Sequence, residues 1–285
     1  NGVVGFKGTY GLVSRWGVVP LSYSLDHVTV FTRQVADAAI MLGAIAGHDP
    51  RDEYSASVSL PDMQAKIGDG LRGLRIGRAR GYTYESIDPD VTRVIDEAFN
   101  VLRGLGAEIE DVELPYVQHA VALQQSIMLP EAAAIHYRHL RDTPEKLGEA
   151  AIMRLDLGNV VPATAYIHAQ QVRKLMRDGF RQLFERVDVI AGPANAVRAG
   201  AAGEWTTELD GRSIDLRQVG PEYTGIYNLA GNPAIVLPAG FSSEGTPIGL
   251  QIAGRWWDEP TVLQVAHAFE QATEWHLKRP PLPSG

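Results

Sequence analysis

Several residue groups have types and spacings that suggest chemistry. Ser24, Asp26 and His27 supply the three residue types of a serine hydrolase almost side by side. A working Ser-His-Asp set is gathered from separate segments, each member oriented by the next. Neighbours this close along the chain do not readily form that relay. No Gly-x-Ser-x-Gly elbow occurs in the chain, so a hydrolase of that type is not expected. Glu131, His136 and His139 fall on one predicted helix, where positions three apart share a face. The two histidines could hold a metal together. No acidic ligand stands at metalloprotease spacing, however, and ordinary surface or core histidines are expected instead. Trp256-Trp257 follow a predicted strand and either stack on a ligand or close the edge of the core. Tyr223, Thr224, Tyr227 and Asn228 collect hydroxyls and an amide just before Leu229-Ala230-Gly231-Asn232-Pro233. They either line a pocket or satisfy buried backbone groups, and they are the substrate-binding candidates. Gly2, Gly5, Gly8 and Gly11 are spaced by three, which is neither the dinucleotide fingerprint nor the phosphate loop. Turn glycines in a packed region are expected, although Lys7-Gly8-Thr9 superficially looks like a phosphate-loop end.

The elements that must position these residues follow from periodicity. Residues 2–20 read as strand and turn. Thr32–Gly47 reads as a helix capped by Thr32, with Val35, Ala38, Ala39 and Leu42 at helical spacing. Leu74–Gly77 is a short strand. Asp88-Pro89 opens a helix that Gly106 stops, with Val91, Val94, Ile95, Ala98 and Leu102 inward. Ala107–Leu114 is a strand, and the resulting β-α-β rhythm implies a sheet covered by helices. Residues 117–186 are mostly helical, Val160–Glu185 forming a long helix entered through Pro162. Strands follow at Val187–Pro193, Ala234–Pro238 and Ile248–Ala253, and a closing helix at Glu259–Glu274. Residues 194–222 read as the least ordered stretch.

The chain has 285 residues, 34 acidic against 26 basic side chains and no cysteine. That excludes a disulfide scaffold, a thiolate metal site and a cysteine nucleophile. A net charge of −8 without a Lys/Arg cluster argues against nucleic-acid or anionic-membrane partners. No apolar run reaches the ~18 residues of a membrane span. A cytoplasmic location is expected.

Three segments together resemble the amidase signature family of amide hydrolases. The first is Gly2-Val3-Val4-Gly5-Phe6-Lys7-Gly8-Thr9-Tyr10-Gly11-Leu12-Val13-Ser14 with Pro20, Ser24, Asp26-His27, Arg33, Val35 and Asp37-Ala38-Ala39. The second is Leu74-Arg75-Ile76-Gly77 with Asp88-Pro89-Asp90-Val91 and Leu105-Gly106-Ala107. The third is Asn228-Leu229-Ala230-Gly231-Asn232-Pro233-Ala234 with Pro238-Ala239-Gly240-Phe241, Gly249-Leu250-Gln251 and Trp275-His276. Gly8 stands where the family commonly has proline, and Val28-Thr29-Val30 where Gly-Pro often follows the Asp-His pair.

The resemblance implies an α/β fold: a mixed β-sheet covered by helices on both faces, here incomplete at its N-terminal side. Residues 1–285 would form the later portion of a single amidase signature domain, with no separate second domain. The resemblance also implies a Ser–cis-Ser–Lys triad in which a lysine of lowered pKa activates a serine nucleophile through a second serine, with no cofactor or metal. All three positions would lie upstream of Asn1. Lys7 matches a later family lysine that is not the base, and Lys66, Lys146, Lys174 and Lys278 match no catalytic position. No catalytic residue is therefore expected in this chain, which alone should be inactive. The parent protein is expected to hydrolyse the C–N bond of a small-molecule amide, as a homodimer if it oligomerises. The alternatives are a glutamine-hydrolysing subunit of a tRNA amidotransferase and a shortened, non-catalytic binding protein.

Overall fold

The computed structural model describes residues 1–280, apart from 217, 218 and 220. In chain order the strands are β1 (Val4–Lys7), β2 (Thr29–Thr32), β3 (Arg75–Arg80), β4 (Glu108–Glu113), β5 (Val189–Pro193), β6 (Thr206–Leu209), β7 (Arg212–Asp215), β8 (Ala234–Phe241) and β9 (Pro247–Gly254). Seven of them make one sheet in the order β2-β1-β8-β9-β5-β3-β4, and β6 pairs with β7 apart from it. β3 runs parallel to both β4 and β5, and the remaining pairs are antiparallel, so the sheet is mixed. The principal helices are α1 (Val35–Ile45), α2 (Pro89–Gly104), α3 (Ala120–Asp142), α4 (Glu149–Asn159), α5 (Ala163–Arg186), α6 (Ile226–Ala230) and α7 (Glu259–Gln271).

The β3-α2-β4 unit shows how local sequence sets local structure. Asp88 accepts from the Asp90 N–H at 2.8 Å, Pro89 occupies the first helical position, and Gly106 takes φ 95° just past the helix. These are a side-chain cap, a residue preset for a helix start, and a residue free to enter the left-handed region. Val91, Val94, Ile95, Ala98, Phe99 and Leu102 are then all buried.

Period-two alternation along the strands sends side chains to opposite faces of the sheet. Ile76, Val189, Ile235 and Ile252 pack with α1, α2 and α7 on one face. Ala79, Ile190, Ala234 and Ala253 pack with α3, α5 and α6 on the other. Both faces are covered, as the resemblance implied.

Some boundaries differ from expectation. Thr32 ends β2 instead of capping α1, whose cap position is Gln34 with no side-chain cap bond. The first free N–H of α1, on Val35, donates instead to the buried Glu270 carboxylate of α7 at 2.9 Å. The stretch 194–222 contains the β6–β7 hairpin. Its two-residue Asp210-Gly211 turn, with φ 50° and 70°, twists in the sense that hairpins favour.

Candidate functional site

The loop leaving β1 is anchored by buried polar groups. The Lys7 Nζ turns inward and donates to the Asn232 carbonyl at 2.5 Å and to that of Gly8 at 3.3 Å. Burial pulls the Lys7 amine down to about 7, although the nearby Glu259 carboxylate opposes that fall. Glu259 is fully buried, accepts from the Thr9 N–H at 2.8 Å, and has its carboxyl pKa pushed up by burial. Thr9 Oγ1 accepts from the Trp257 N–H at 2.9 Å, and the Tyr10 N–H donates to the Gly231 carbonyl at 3.0 Å. The loop 8–10 is thereby tied to the turns at 231 and 256.

A second polar centre lies where the segment 22–27 meets α3 and α5. The buried Glu131 carboxylate accepts from Ser22 Oγ at 2.5 Å, from the Ser24 N–H at 3.1 Å, from Ser24 Oγ, and from the Tyr166 hydroxyl at 2.9 Å. Arg173 crosses beneath, donating from Nε to the Leu229 carbonyl at 2.6 Å and from its guanidinium to the Ser24 carbonyl at 2.8 Å. A side chain of α5 thus fixes both the 22–27 turn and the end of α6.

Between these centres opens a cleft of about 460 Å³, bordered by Tyr10, Ser24, Arg177, Arg181, Gly231 and Trp256 among others. The Trp256 indole donates to the Ala230 carbonyl at 3.1 Å. The Arg177 and Arg181 guanidiniums lie 5.8 and 5.5 Å from its ring centre, within cation–π range. Burial pushes the Tyr10 hydroxyl up to about 12 against the pull of Arg15 and Arg173, so it stays a neutral donor at neutral pH. The floor is a neutral, hydrogen-bonding surface and one wall is cationic.

The structure does not assemble a catalytic relay from Ser24, Asp26 and His27. Ser24 is committed to Glu131. Asp26 accepts from the Leu21 and Ser22 N–H groups at 2.8 and 3.0 Å. The His27 Nδ1 lies 2.7 Å from the Leu25 carbonyl, and burial holds the ring well below its usual pKa. Among the described residues, no serine hydroxyl is hydrogen-bonded to a lysine amine or a histidine ring. His136 and His139 do share a face, with their Nδ1 atoms 3.3 Å apart. Among the described residues, no group of three or more metal-ligating side chains is gathered.

Of the four substrate-binding candidates, Tyr223 packs with Ala196 and Val197, and the buried Tyr227 lies against Phe180. Thr224 is exposed, and Asn228 is half-buried with its amide donating to the Leu25 carbonyl at 3.0 Å. None of the four borders the cleft beside Trp256. Trp256 closes the edge of the core, as one of the two alternatives had it, and it also borders the cleft. Sequence reasoning passed over Glu131 as a hydrogen-bond centre and did not single out Arg173, Arg177 and Arg181. Their spacing of four along a predicted helix was the available signal.

Residues 1–263 match the family model described as Amidase. A glutamyl-tRNA(Gln) amidotransferase subunit of Geobacter metallireducens is 39% identical over 302 residues, covering 98% of this chain and 61% of the relative. An amidase of Pseudomonas putida is 38% identical over 281 residues, covering 98% of this chain and 60% of the relative. The solved structure of the corresponding glutamyl-tRNA(Gln) amidotransferase subunit from Thermotoga maritima superposes with a TM-score of 0.78 at 30% identity, covering 95% of this chain and 58% of that one. The chain therefore spans about three fifths of the length of the curated relatives it matches. Among the described residues, no helix is long and apolar enough to cross a membrane. A family match across most of the chain, carried by the same mixed sheet, places this chain in the amidase family.

Proposed function

We propose that the protein to which this chain belongs hydrolyses the C–N bond of an amide through a serine acyl-enzyme, and that the Ser–Ser–Lys triad lies upstream of Asn1. The observation that carries this is the family match over residues 1–263, continuous through the β1 loop and the 228–234 turn that build the cleft. Ser24 Oγ is bonded to Glu131, with no lysine amine or histidine ring hydrogen-bonded to it among the described residues, which supports a nucleophile elsewhere. This chain then supplies sheet, covering helices and pocket wall as the later portion of one domain.

Of the four substrate-binding candidates Tyr223, Thr224, Tyr227 and Asn228, the exposed Thr224 and the half-buried Asn228 are the two we assign to substrate contact, since both tyrosines are buried. The partner is a small-molecule amide, the protein acts in the cytoplasm, and its oligomer is a homodimer. Ammonia release from an amide, together with hydroxamate formation when hydroxylamine is added, tests the reading. An acyl-enzyme partitions between water and hydroxylamine, so hydrolysis without hydroxamate overturns it. A second reading, hydrolysis of glutamine within a tRNA amidotransferase, draws on the high identity to proteins bearing that name. Glutamine-dependent ammonia release with a second, co-purifying polypeptide favours it.

A further inference from the structure

The cleft wall formed by α5 holds one cation that has no hydrogen bond or ion pair among the described residues, only the face of Trp256. Arg173, Arg177 and Arg181 stand four residues apart on one helix and all face the cleft, whose lining includes no aspartate or glutamate. Their situations differ. Arg173 spends its guanidinium on two backbone carbonyls and a glutamine. Arg181 pairs with Asp178 on the same helix. Arg177 makes no hydrogen bond or ion pair among the described residues, and its Nε is buried without any partner. Burial and the neighbouring Arg181 both lower its pKa, against a smaller pull from Asp178. A half-buried guanidinium left unpaired is unfavourable, and an anion arriving at the cleft relieves that penalty.

We infer that this cleft takes a ligand bearing a carboxylate, with Arg177 and Arg181 as the groups that read it and Trp256 as the surface on which its body rests. The guanidinium fork matches a carboxylate in plane and spacing. Asp178 is shared between Arg181 and Lys174, so the wall keeps its positive charge. Trp256 borders the same cleft and gives it an apolar, aromatic surface beside the two guanidiniums. The inference deepens the amide-hydrolysis reading and rests on it in one respect, that the ligand is an amide carrying its carboxylate at the far end.

The test compares two amides identical at the reacting end, 4-carbamoylbenzoate and terephthalamide, by titration calorimetry on the purified protein. Benzoate serves as a third probe, to separate a carboxylate on an amide from a free carboxylate product. The carboxylate-bearing amide should bind about tenfold tighter than its neutral partner, the effect of one charge-assisted hydrogen bond. Arg177→Gln should bring the two within about twofold. Arg138→Gln, which removes the same charge from an exposed position on α3, should leave the preference intact. If Arg177→Gln does not fold by circular dichroism, Arg177→Lys keeps the charge without the fork and should retain part of the preference. Equal binding of the two amides by the unmodified protein, or a preference that survives in Arg177→Gln, overturns the site. Benzoate binding as tightly as the carboxylated amide overturns the assignment to substrate. Hydrolysis assayed on the same sample separates the two proposals. With the full-length parent protein as the sample, selective binding without hydrolysis upholds the site and defeats the amidase reading, whereas hydrolysis of both amides at equal kcat/KM does the reverse.

Discussion

Glu131→Ala should be among the most damaging single substitutions near the cleft, while Glu131→Gln should be mild. The carboxylate accepts hydrogen bonds from Ser22 Oγ, the Ser24 N–H, Ser24 Oγ and the Tyr166 hydroxyl. Removing it leaves those donors to find other partners. Ser22 is 1% exposed and has no water to turn to. Ser24 and Tyr166 border accessible space and recover part of the loss. An orphaned buried donor costs about 1–3 kcal/mol, so Ser22, the Ser24 backbone and the vacated volume together come to about 3–5 kcal/mol. Glutamine changes this arithmetic. One glutamate oxygen accepts from the Ser24 N–H and Ser22 Oγ, and the amide oxygen can replace it. The other accepts only from hydroxyls, which can rotate to receive hydrogen bonds from an amide N–H₂. The expected loss is then about 1–2 kcal/mol, that of weakened charge-assisted bonds. Urea unfolding at neutral pH, with the slope unchanged between variants, measures both. An alanine variant within about 1 kcal/mol of the parent refutes the hub. So does a glutamine variant as unstable as alanine, because it denies the division of donors between the two oxygens.

Lys7→Met should remove a pH dependence. The folded amine titrates at about 7 against an ordinary 10.5, so between those values the unfolded chain binds more protons. Stability should therefore rise from pH 7 towards 10 in the parent and rise less in the variant, as read by urea midpoints at each pH. Asp188→Asn should flatten the acid limb. Burial works against ionisation of Asp188, but hydrogen bonds from the Arg75 guanidinium and backbone and from Arg255 hold it down to about 2. The stability it contributes is present above its ordinary 3.8 and lost as pH falls through 2, so the parent should lose more than the variant in acid titrations monitored by circular dichroism. Gly158→Ala should separate α3 from α4, since a Cβ there would lie 2.1 Å from the Leu129 carbonyl oxygen. We expect a loss of about 2–4 kcal/mol by urea unfolding. Gly148→Ala, which meets nothing within 4 Å, should change little in the same assay.

The sequence disclosed most where short-range rules act alone. The α2 helix was legible from Asp88-Pro89 at its start, its inward apolar row and Gly106 at its end, and the parallel β3-α2-β4 unit followed from it. β2 was hidden because four residues carry no usable period, and its strand character comes from pairing Thr29–Thr32 against β1. The cap of α1 was misplaced for a similar reason, the acceptor being Glu270, over 200 positions away. The β6–β7 hairpin, by contrast, had its Asp210-Gly211 turn in plain view within a stretch of otherwise uninformative composition. The cleft was the least legible part. Its hub joins Ser22 and Ser24 to Glu131 across more than 100 residues, and no local pattern reports such a contact.

The most direct test of the proposed chemistry is to label the active protein with a serine-directed sulfonyl fluoride, confirm loss of amide hydrolysis, and map the modified residue by peptide mass spectrometry. The proposal predicts a single modified serine, upstream of Asn1, with Ser22 and Ser24 untouched. Modification of Ser24, or of any serine between residues 1 and 285, in step with loss of activity would contradict it.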